Sequence, residues 1–127
     1  MRRPAAAFAL ALGAAMLASP AFAGMSVTFD WGKTKACFDP NSPPFVVNGV
    51  PKDTVRLIFQ MTDLNVPTYR HGGGVVAYTG QKSIPYGAFQ YKGPCPPQPH
   101  VYQFNVQAMD GKGKVLATAT ARKRFPR

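Results

Sequence analysis

A histidine and a tyrosine stand two residues apart where a proline-rich loop gives way to an alternating run, in the stretch YKGPCPPQPHVYQF. His100 and Tyr102 fall on the same side of the expected strand, because side chains alternate between the two faces of a sheet. An imidazole N–H and a phenol O–H at that spacing can both donate hydrogen bonds to one anionic group. The residue types also allow structural roles: a strand-end histidine satisfied by its neighbours, and a core tyrosine with a buried hydroxyl.

Asp63 ends the most apolar segment of the chain, TVRLIFQMTD. A carboxylate that accepts a hydrogen bond from one imidazole nitrogen orients the ring and favours its charged form. The same carboxylate can instead cap the turn that follows it. Both interpretations remain open at this point.

Two other chemistries would use the same residues. His71, His100 and Asp63 are an acceptable ligand set for a divalent metal, although no close ligand spacing supports it. Cys95, His100 and Asp63 could form a nucleophilic triad, which a disulfide at Cys95 would abolish. GxSxG, P-loop and HExxH motifs do not occur in the sequence. We therefore expect no metal, no other cofactor and no enzymatic activity.

The first 23 residues have the pattern of a secretory signal peptide. Two arginines precede a short alanine-rich apolar stretch, and residues 21–23 form a small-x-small cleavage sequence before Gly24. The alternative is an uncleaved membrane anchor. We expect cleavage near Ala23 and a periplasmic or secreted protein whose single domain covers residues 24–127.

The chain is strongly basic, with a formal net charge of +10. Without Arg2 and Arg3, 13 basic residues face five aspartates, which leaves +8. Such a surface attracts anions, so we expect a small anionic ligand or a phospholipid headgroup as partner, with peripheral contact to an anionic membrane surface. We expect no nucleic-acid partner in an exported protein. The basic run ARKRFPR is either a solvated terminus or a polyanion site. The sequence gives no oligomeric state.

Cys37 and Cys95 are the only two cysteines. An even pair in an oxidising compartment favours a disulfide, and two unpaired thiols are the alternative. A bridge that closes a loop of this length would stabilise the fold by about 4 kcal/mol in the chain-entropy model.

Hydrophobic alternation predicts strands and no helices. The expected strands cover residues 25–31, 54–63, 75–78, 100–110 and 115–125, separated by Gly/Pro-rich loops. The apolar centre of the second, residues 57–59, suggests a strand covered on both faces. These features predict a compact all-β domain, either a sandwich or an open sheet or barrel with long loops.

Several motifs resemble the phosphatidylethanolamine-binding protein (PEBP) family, in particular its small bacterial branch related to Raf kinase inhibitor proteins. The residues that correspond to the family's Asp-Pro-Asp-x-Pro box are DLNVP, residues 63–67. A Gly-Pro-rich loop leading to His-Arg-Tyr is matched by residues 93–97, GPCPP, and then by His100 and Tyr102. Cys37 followed by Ser42-Pro43-Pro44 is typical of the bacterial branch. The similarity spans residues 37–124.

The chain departs from the family pattern at three points. Leu64 and Asn65 replace a proline and an acid of the box. In HGGGVV, Gly73 falls where the family has a histidine, and His71 comes two residues early. The chain is also shorter than full-length members and leaves no room for their helices.

The resemblance implies an all-β fold of the PEBP type and a small pocket at the sheet end that binds an anionic group, typically phosphate. The ligand-binding residues it implies are Asp63, Pro67, His71, Gly93, Pro94, Cys95, Pro96, His100 and Tyr102. It therefore implies a non-catalytic binding protein for a phosphate-bearing or similar small anion. The alternative function is a structural or protein-interaction module that kept the scaffold and lost the pocket.

Overall fold

The computed structural model describes residues 24–126, so the predicted signal peptide at residues 1–23 lies outside the described residues. Within that range the chain forms seven strands and no helix: β1 (Ser26–Phe29), β2 (Phe45–Asn48), β3 (Arg56–Asp63), β4 (Gly73–Ala77), β5 (Ser83–Ile84), β6 (His100–Met109) and β7 (Val115–Phe125). The fold is thus all-β, as predicted. The described part of the chain has no helix with the length and hydropathy needed to cross a bilayer.

The strands form two antiparallel sheets. β1, β2 and β5 make a three-stranded sheet in the order β1-β2-β5, and the other four make a sheet in the order β4-β3-β6-β7. The predicted strands correspond to β1, β3, β4, β6 and β7. β2 and β5 were not predicted, because FVVN follows a proline run and β5 has only two residues.

The core lies between the two sheets. Phe45 of β2 contacts Phe59 of β3 and Phe104 of β6, with ring centroids 4.7 and 4.9 Å apart. Alternate residues of β6 are buried, as the sequence pattern indicated. The prediction that residues 57–59 are covered on both faces is wrong: Leu57 and Phe59 are buried, whereas Ile58 faces the other side and is only half-buried.

The only tryptophan, Trp31, follows β1 and is fully buried. Its ring makes edge contacts with Tyr102 at 5.7 Å and with Phe125 at 4.9 Å between centroids. The indole Nε1–H donates a hydrogen bond to the backbone carbonyl of Arg124 at 2.8 Å. These contacts fix the end of β7 against the core, so the basic run at residues 122–124 belongs to this predicted strand, and its three side chains are exposed.

The register of the large sheet brings distant residues to one edge. β3 and β6 are antiparallel, and Asp63 at the end of β3 pairs with Tyr102 near the start of β6. Tyr102 and His100 point toward the same side because they are two residues apart on a strand. The fold therefore places an acid, an imidazole and a phenol at the same edge of the sheet.

Candidate functional site

Asp63 and His100 form a hydrogen-bonded pair. The Nδ1–H of His100 donates to Oδ2 of Asp63 at 2.7 Å, and this is the one ion-pair contact found within residues 24–126. The other carboxylate oxygen, Oδ1, accepts the backbone N–H groups of Asn65 at 2.9 Å and Val66 at 3.2 Å. Asp63 thus both orients the imidazole and caps the turn, so the two interpretations of this residue hold together.

The hydrogen bonds determine the protonation state of Asp63. Burial by itself would raise the pKa of its carboxyl group. The hydrogen bonds from His100 and from the backbone of Asn65 and Val66 outweigh burial, and the pKa lies below its ordinary value. Asp63 is therefore a carboxylate at neutral pH, and as such it favours a proton on Nδ1 of His100.

His71 also reaches the site. Its Nδ1–H donates to the backbone carbonyl of Lys92 at 2.7 Å, while its own carbonyl accepts the backbone N–H of Lys92 at 2.9 Å. The side chain is buried, and its ring contacts Tyr69 at 4.6 Å and Tyr102 at 5.5 Å between centroids. The sequence had left open whether a histidine two residues early would reach this site.

The glycines after His71 explain its position. Gly72 has a φ of +74°, in the left-handed region that side chains rarely adopt, so the chain turns sharply after His71 before it enters β4. A Cβ at Gly74 would lie 2.4 Å from the Cβ of Phe89. Gly72 thus permits the sharp turn after His71, and Gly74 leaves space for the side chain of Phe89.

Tyr102 contributes a hydroxyl group beside the two imidazoles. Burial raises the pKa of this phenol, and the neighbouring negative charge of Asp63 raises it further. The hydroxyl is therefore protonated at neutral pH and can donate a hydrogen bond. Its ring is at the same time part of the core, so Tyr102 has both of the roles that the sequence allowed.

A disulfide between Cys37 and Cys95 joins the loop after β1 to the proline-rich loop, with a Cα–Cα distance of 4.2 Å. Two backbone hydrogen bonds flank it: Phe38 N–H to the Pro94 carbonyl at 3.2 Å, and Gly93 N–H to the Asp39 carbonyl at 3.0 Å. The disulfide confirms the predicted pairing.

Asp39 holds the same loop from the inside. Its buried carboxylate accepts hydrogen bonds from the Tyr86 hydroxyl at 2.6 Å and from the backbone N–H groups of Lys35 at 2.9 Å and Asn41 at 3.0 Å. Burial alone would raise the pKa of Asp39, but these hydrogen bonds, together with the charge of Lys35, lower it. Sequence reasoning missed this role, because Asp39-Pro40 indicates only a turn.

These elements enclose a cavity of about 210 Å³. Six of the nine predicted ligand-binding residues line it: Asp63, His71, Cys95, Pro96, His100 and Tyr102. The other three lie outside its lining. Gly93 and Pro94 are buried but do not line the cavity. Pro67 is exposed and lines a separate groove.

Four further residues line the cavity: Phe38, Val66, Tyr69 and Pro97. Pro97 belongs to the predicted loop, but sequence reasoning missed the other three. The rings of Phe38 and Tyr69 stack with centroids 6.4 Å apart, and the ammonium group of Lys92 lies 4.6 Å and 5.0 Å from their centroids. A cation thus lies beside the cavity and is held by aromatic faces.

The residues that depart from the family pattern also have structural roles. The side-chain oxygen of Asn65 accepts the backbone N–H of Val101 at 2.9 Å and so ties the turn after β3 to the start of β6.

No group of three or more His, Cys, Asp or Glu side chains in residues 24–126 is arranged to hold a metal ion.

Comparison with solved structures identifies the architecture. The Escherichia coli protein YbcL, described as a new member of the mammalian PEBP family, superposes with a TM-score of 0.63 and 20% sequence identity, over 81% of this chain and 98% of that one. This chain has the PEBP fold. A putative phosphatidylethanolamine-binding protein homologue from Chlamydia trachomatis superposes on the same fold with a TM-score of 0.59 and 19% identity, over 82% of this chain and 98% of its own.

Comparisons of sequence, unlike those of structure, find no significant match. No protein-family model matches the chain, and no curated protein matches it significantly. These two structures are described as a PEBP family member and a putative PEBP homologue, so the resemblance seen in the motifs is confirmed at the level of the fold.

Proposed function

We propose that this protein binds a small phosphate-bearing or similar anion in the cavity, without catalysing a reaction on it. One observation carries the proposal. Both histidines of the chain line the same cavity, and each has Nδ1 engaged with a fixed oxygen acceptor, so that Nε2 is the nitrogen left for a ligand. The Tyr102 hydroxyl adds a third donor.

The size of the cavity supports a headgroup-sized ligand. Pockets for drug-sized molecules measure roughly 300–1,000 Å³, and this one measures about 210 Å³. A phosphate or phosphoethanolamine group fits such a volume, whereas a complete phospholipid would have to leave its acyl chains outside. Free phosphate and a phospholipid headgroup both present a phosphate group, and this group is the part of the ligand that the cavity would bind.

Binding of this kind requires protonated imidazoles. Because Nδ1 of each ring already carries the donated hydrogen, a neutral ring has a lone pair at Nε2, and only the imidazolium offers Nε2–H to an anion. Binding of the proposed ligand should therefore be accompanied by uptake of protons.

Several features support binding without catalysis in an exported protein. Cys95 is bonded to Cys37 and so has no thiol to act as a nucleophile. A disulfide also suits the periplasm or the extracellular space, where such bonds persist. The cavity supports the binding proposal over the alternative, a scaffold that lost its pocket.

The test is a titration followed on the two histidine rings. Histidine-selective ¹⁵N labelling gives signals from only two side chains, both in the cavity. Addition of inorganic phosphate or phosphoethanolamine at pH 6 should shift both Nε2 resonances in a saturable manner, and matched chloride should not. Unchanged rings at millimolar phosphate and phosphoethanolamine between pH 5 and 7 would contradict the proposal.

A pair of tyrosine variants completes the test. Tyr102→Phe removes the cavity hydroxyl and keeps the core ring, so it should weaken phosphate binding about tenfold, the loss expected for one hydrogen bond to a charged ligand. Tyr78→Phe makes the same change at a partly buried tyrosine outside the cavity lining and should bind as the parent does.

A further inference from the structure

We propose that the pocket end of the molecule docks on an anionic phospholipid bilayer through four apolar side chains, Phe38, Leu64, Val66 and Val101, here called the apolar rim. The inference rests on the proposed function in one respect: the cavity would then open onto the headgroups it binds. It adds the surface that meets the bilayer and the residues that enter the interface.

The apolar rim is unusual in its exposure. Eight large hydrophobic side chains are exposed among residues 24–126, and half of them lie at this one end. Their exposed fractions are 44% for Phe38, 36% for Leu64, 41% for Val66 and 38% for Val101. Isolated exposed hydrophobics need no explanation, but a group of them at one end of the molecule marks an interaction surface.

These four residues all lie at the cavity end of the large sheet. Phe38 and Val66 both line the cavity, from different loops. The backbone N–H of Leu64 donates to the carbonyl of Val101 at 2.8 Å, which joins the turn after β3 to the start of β6. The rim is also preorganised, because Phe38 is stacked on Tyr69 and follows the bridged Cys37.

Basic side chains accompany the rim. The ammonium group of Lys92 lies over the Phe38 ring, and exposed Arg124 is the cross-strand neighbour of Val101. Neither Lys92 nor Arg124 forms an ion pair within residues 24–126, where the one ion pair joins Asp63 to His100. Cationic groups beside a surface of this kind are attracted by anionic lipid.

Four of the five carboxylates do not oppose that attraction. Asp39 and Asp63, which flank the cavity, are buried and hydrogen-bonded. Asp53 and Asp110 lie at the opposite end of the large sheet, before β3 begins and after β6 ends. The fifth, Asp30, is exposed after β1, where its side chain accepts the N–H of Gly32, and its charge works against the attraction.

This combination favours a bilayer over a protein surface as the partner. Exposed apolar groups can enter the boundary between headgroups and acyl chains, while neighbouring Lys and Arg remain among anionic headgroups. Binding should consequently need both contributions. It should be strong on vesicles that contain anionic lipid, weak on purely zwitterionic vesicles, and reduced by salt.

The experiment is co-sedimentation of the protein with phosphatidylcholine vesicles with and without about 30% phosphatidylglycerol, a fraction that gives an anionic surface. The test variant is Leu64→Ser with Val101→Thr, two rim residues that do not line the cavity. The matched control is Val75→Thr with Val115→Thr, two valines exposed by 59% and 41% elsewhere on the protein. We expect the rim variant to partition at least about tenfold more weakly on anionic vesicles and the control to match the parent.

Phosphate titration of the same variants separates the two proposals. The rim variant should retain the histidine shifts with free phosphate while it loses vesicle binding. The docking proposal is overturned if the parent ignores anionic vesicles, or if the rim and control variants bind them equally. If the parent shows no phosphate shift but its vesicle binding still depends on the rim, docking stands and the ligand proposal fails.

Discussion

The carboxylate of Asp63 and the imidazole of His100 lie 2.7 Å apart although 37 positions separate them in the sequence. Antiparallel pairing of β3 with β6 brings them to the same edge, and two backbone hydrogen bonds to Asp63 fix the carboxylate that orients the ring. The anion-binding proposal depends on this contact, because it assigns the proton on Nδ1 and leaves Nε2 facing the ligand.

Replacing Asp63 with Asn should weaken phosphate binding about tenfold, since the hydrogen bond of a charged pair contributes about 1.5–3 kcal/mol. The amide retains the shape and can still accept the backbone hydrogen bonds, but it no longer favours the imidazolium. The histidine-ring titration at pH 6 measures the change. Asp53→Asn removes the same charge at an exposed turn and serves as the control; equal affinities for the two variants would refute the role of Asp63.

Acid should destabilise the fold through Asp39. The pKa of Asp39 is lowered in the folded protein. The carboxylate therefore contributes fully to the free energy of unfolding above its pKa in the unfolded chain, about 3.9. This contribution is lost as the pH falls through the pKa in the folded protein. Asp39→Asn should lower the free energy of unfolding by about 2 kcal/mol at pH 7, and the difference from the parent should shrink below about pH 4.

Urea denaturation at a series of pH values measures this effect. Asp110→Asn is the matched control, because Asp110 also accepts two backbone N–H groups, at 2.9 and 2.8 Å, but in an exposed turn. We expect a loss below about 1 kcal/mol for the control, as is usual for exposed groups. A pH-independent loss at Asp39 would show that its charge is not what stabilises the loop.

Reduction of the Cys37–Cys95 disulfide should cost about 4 kcal/mol of stability, given the 58 positions between the two cysteines. It should also weaken phosphate binding, because Cys95 and Pro96 form part of the cavity wall. Urea denaturation with and without a phosphine reductant gives the first quantity, and the histidine-ring titration gives the second. Two reactive thiols in the native protein before reduction would contradict the assignment.

Gly93→Ala should destabilise the protein by about 1–3 kcal/mol, the usual cost of overpacking. The added Cβ would lie 2.4 Å from the carbonyl oxygen of Asp39, so the two segments beside the disulfide would have to separate. Gly111→Ala is the control, because a Cβ there meets nothing within 4 Å. Thermal unfolding compares the two, and similar transition temperatures would show that the close approach is unimportant.

Much of the fold could be predicted because local patterns reflect it. The alternation in β6 identified which side chains are buried, and β-branched and aromatic runs located β1, β3 and β7. The order of the strands and the division into two sheets depend on long-range pairing, which no local pattern contains. Ile58 could not be placed for the same reason. An apolar run in the sequence does not show which face of the strand is buried and which is partly exposed.

The candidate site was predictable where it uses motif residues and unpredictable where it uses the geometry of loops. Asp63, His100 and Tyr102 could be identified from their motifs. Phe38 could not, because it reaches the cavity from a turn with a φ of +46° that the disulfide and a hydrogen bond to Pro94 hold in place. Likewise, nothing in the spacing of HGGGVV indicates that the turn at Gly72 directs His71 inward.

The edge contact between Trp31 and Tyr102 gives the protein an intrinsic optical reporter. Its single indole lies directly against the phenol whose hydroxyl faces the cavity. Its emission should therefore respond to events at that phenol and to loosening of the last strand, to which its Nε1–H is bonded. Ligand occupancy and local opening could thus be followed by fluorescence without an attached dye.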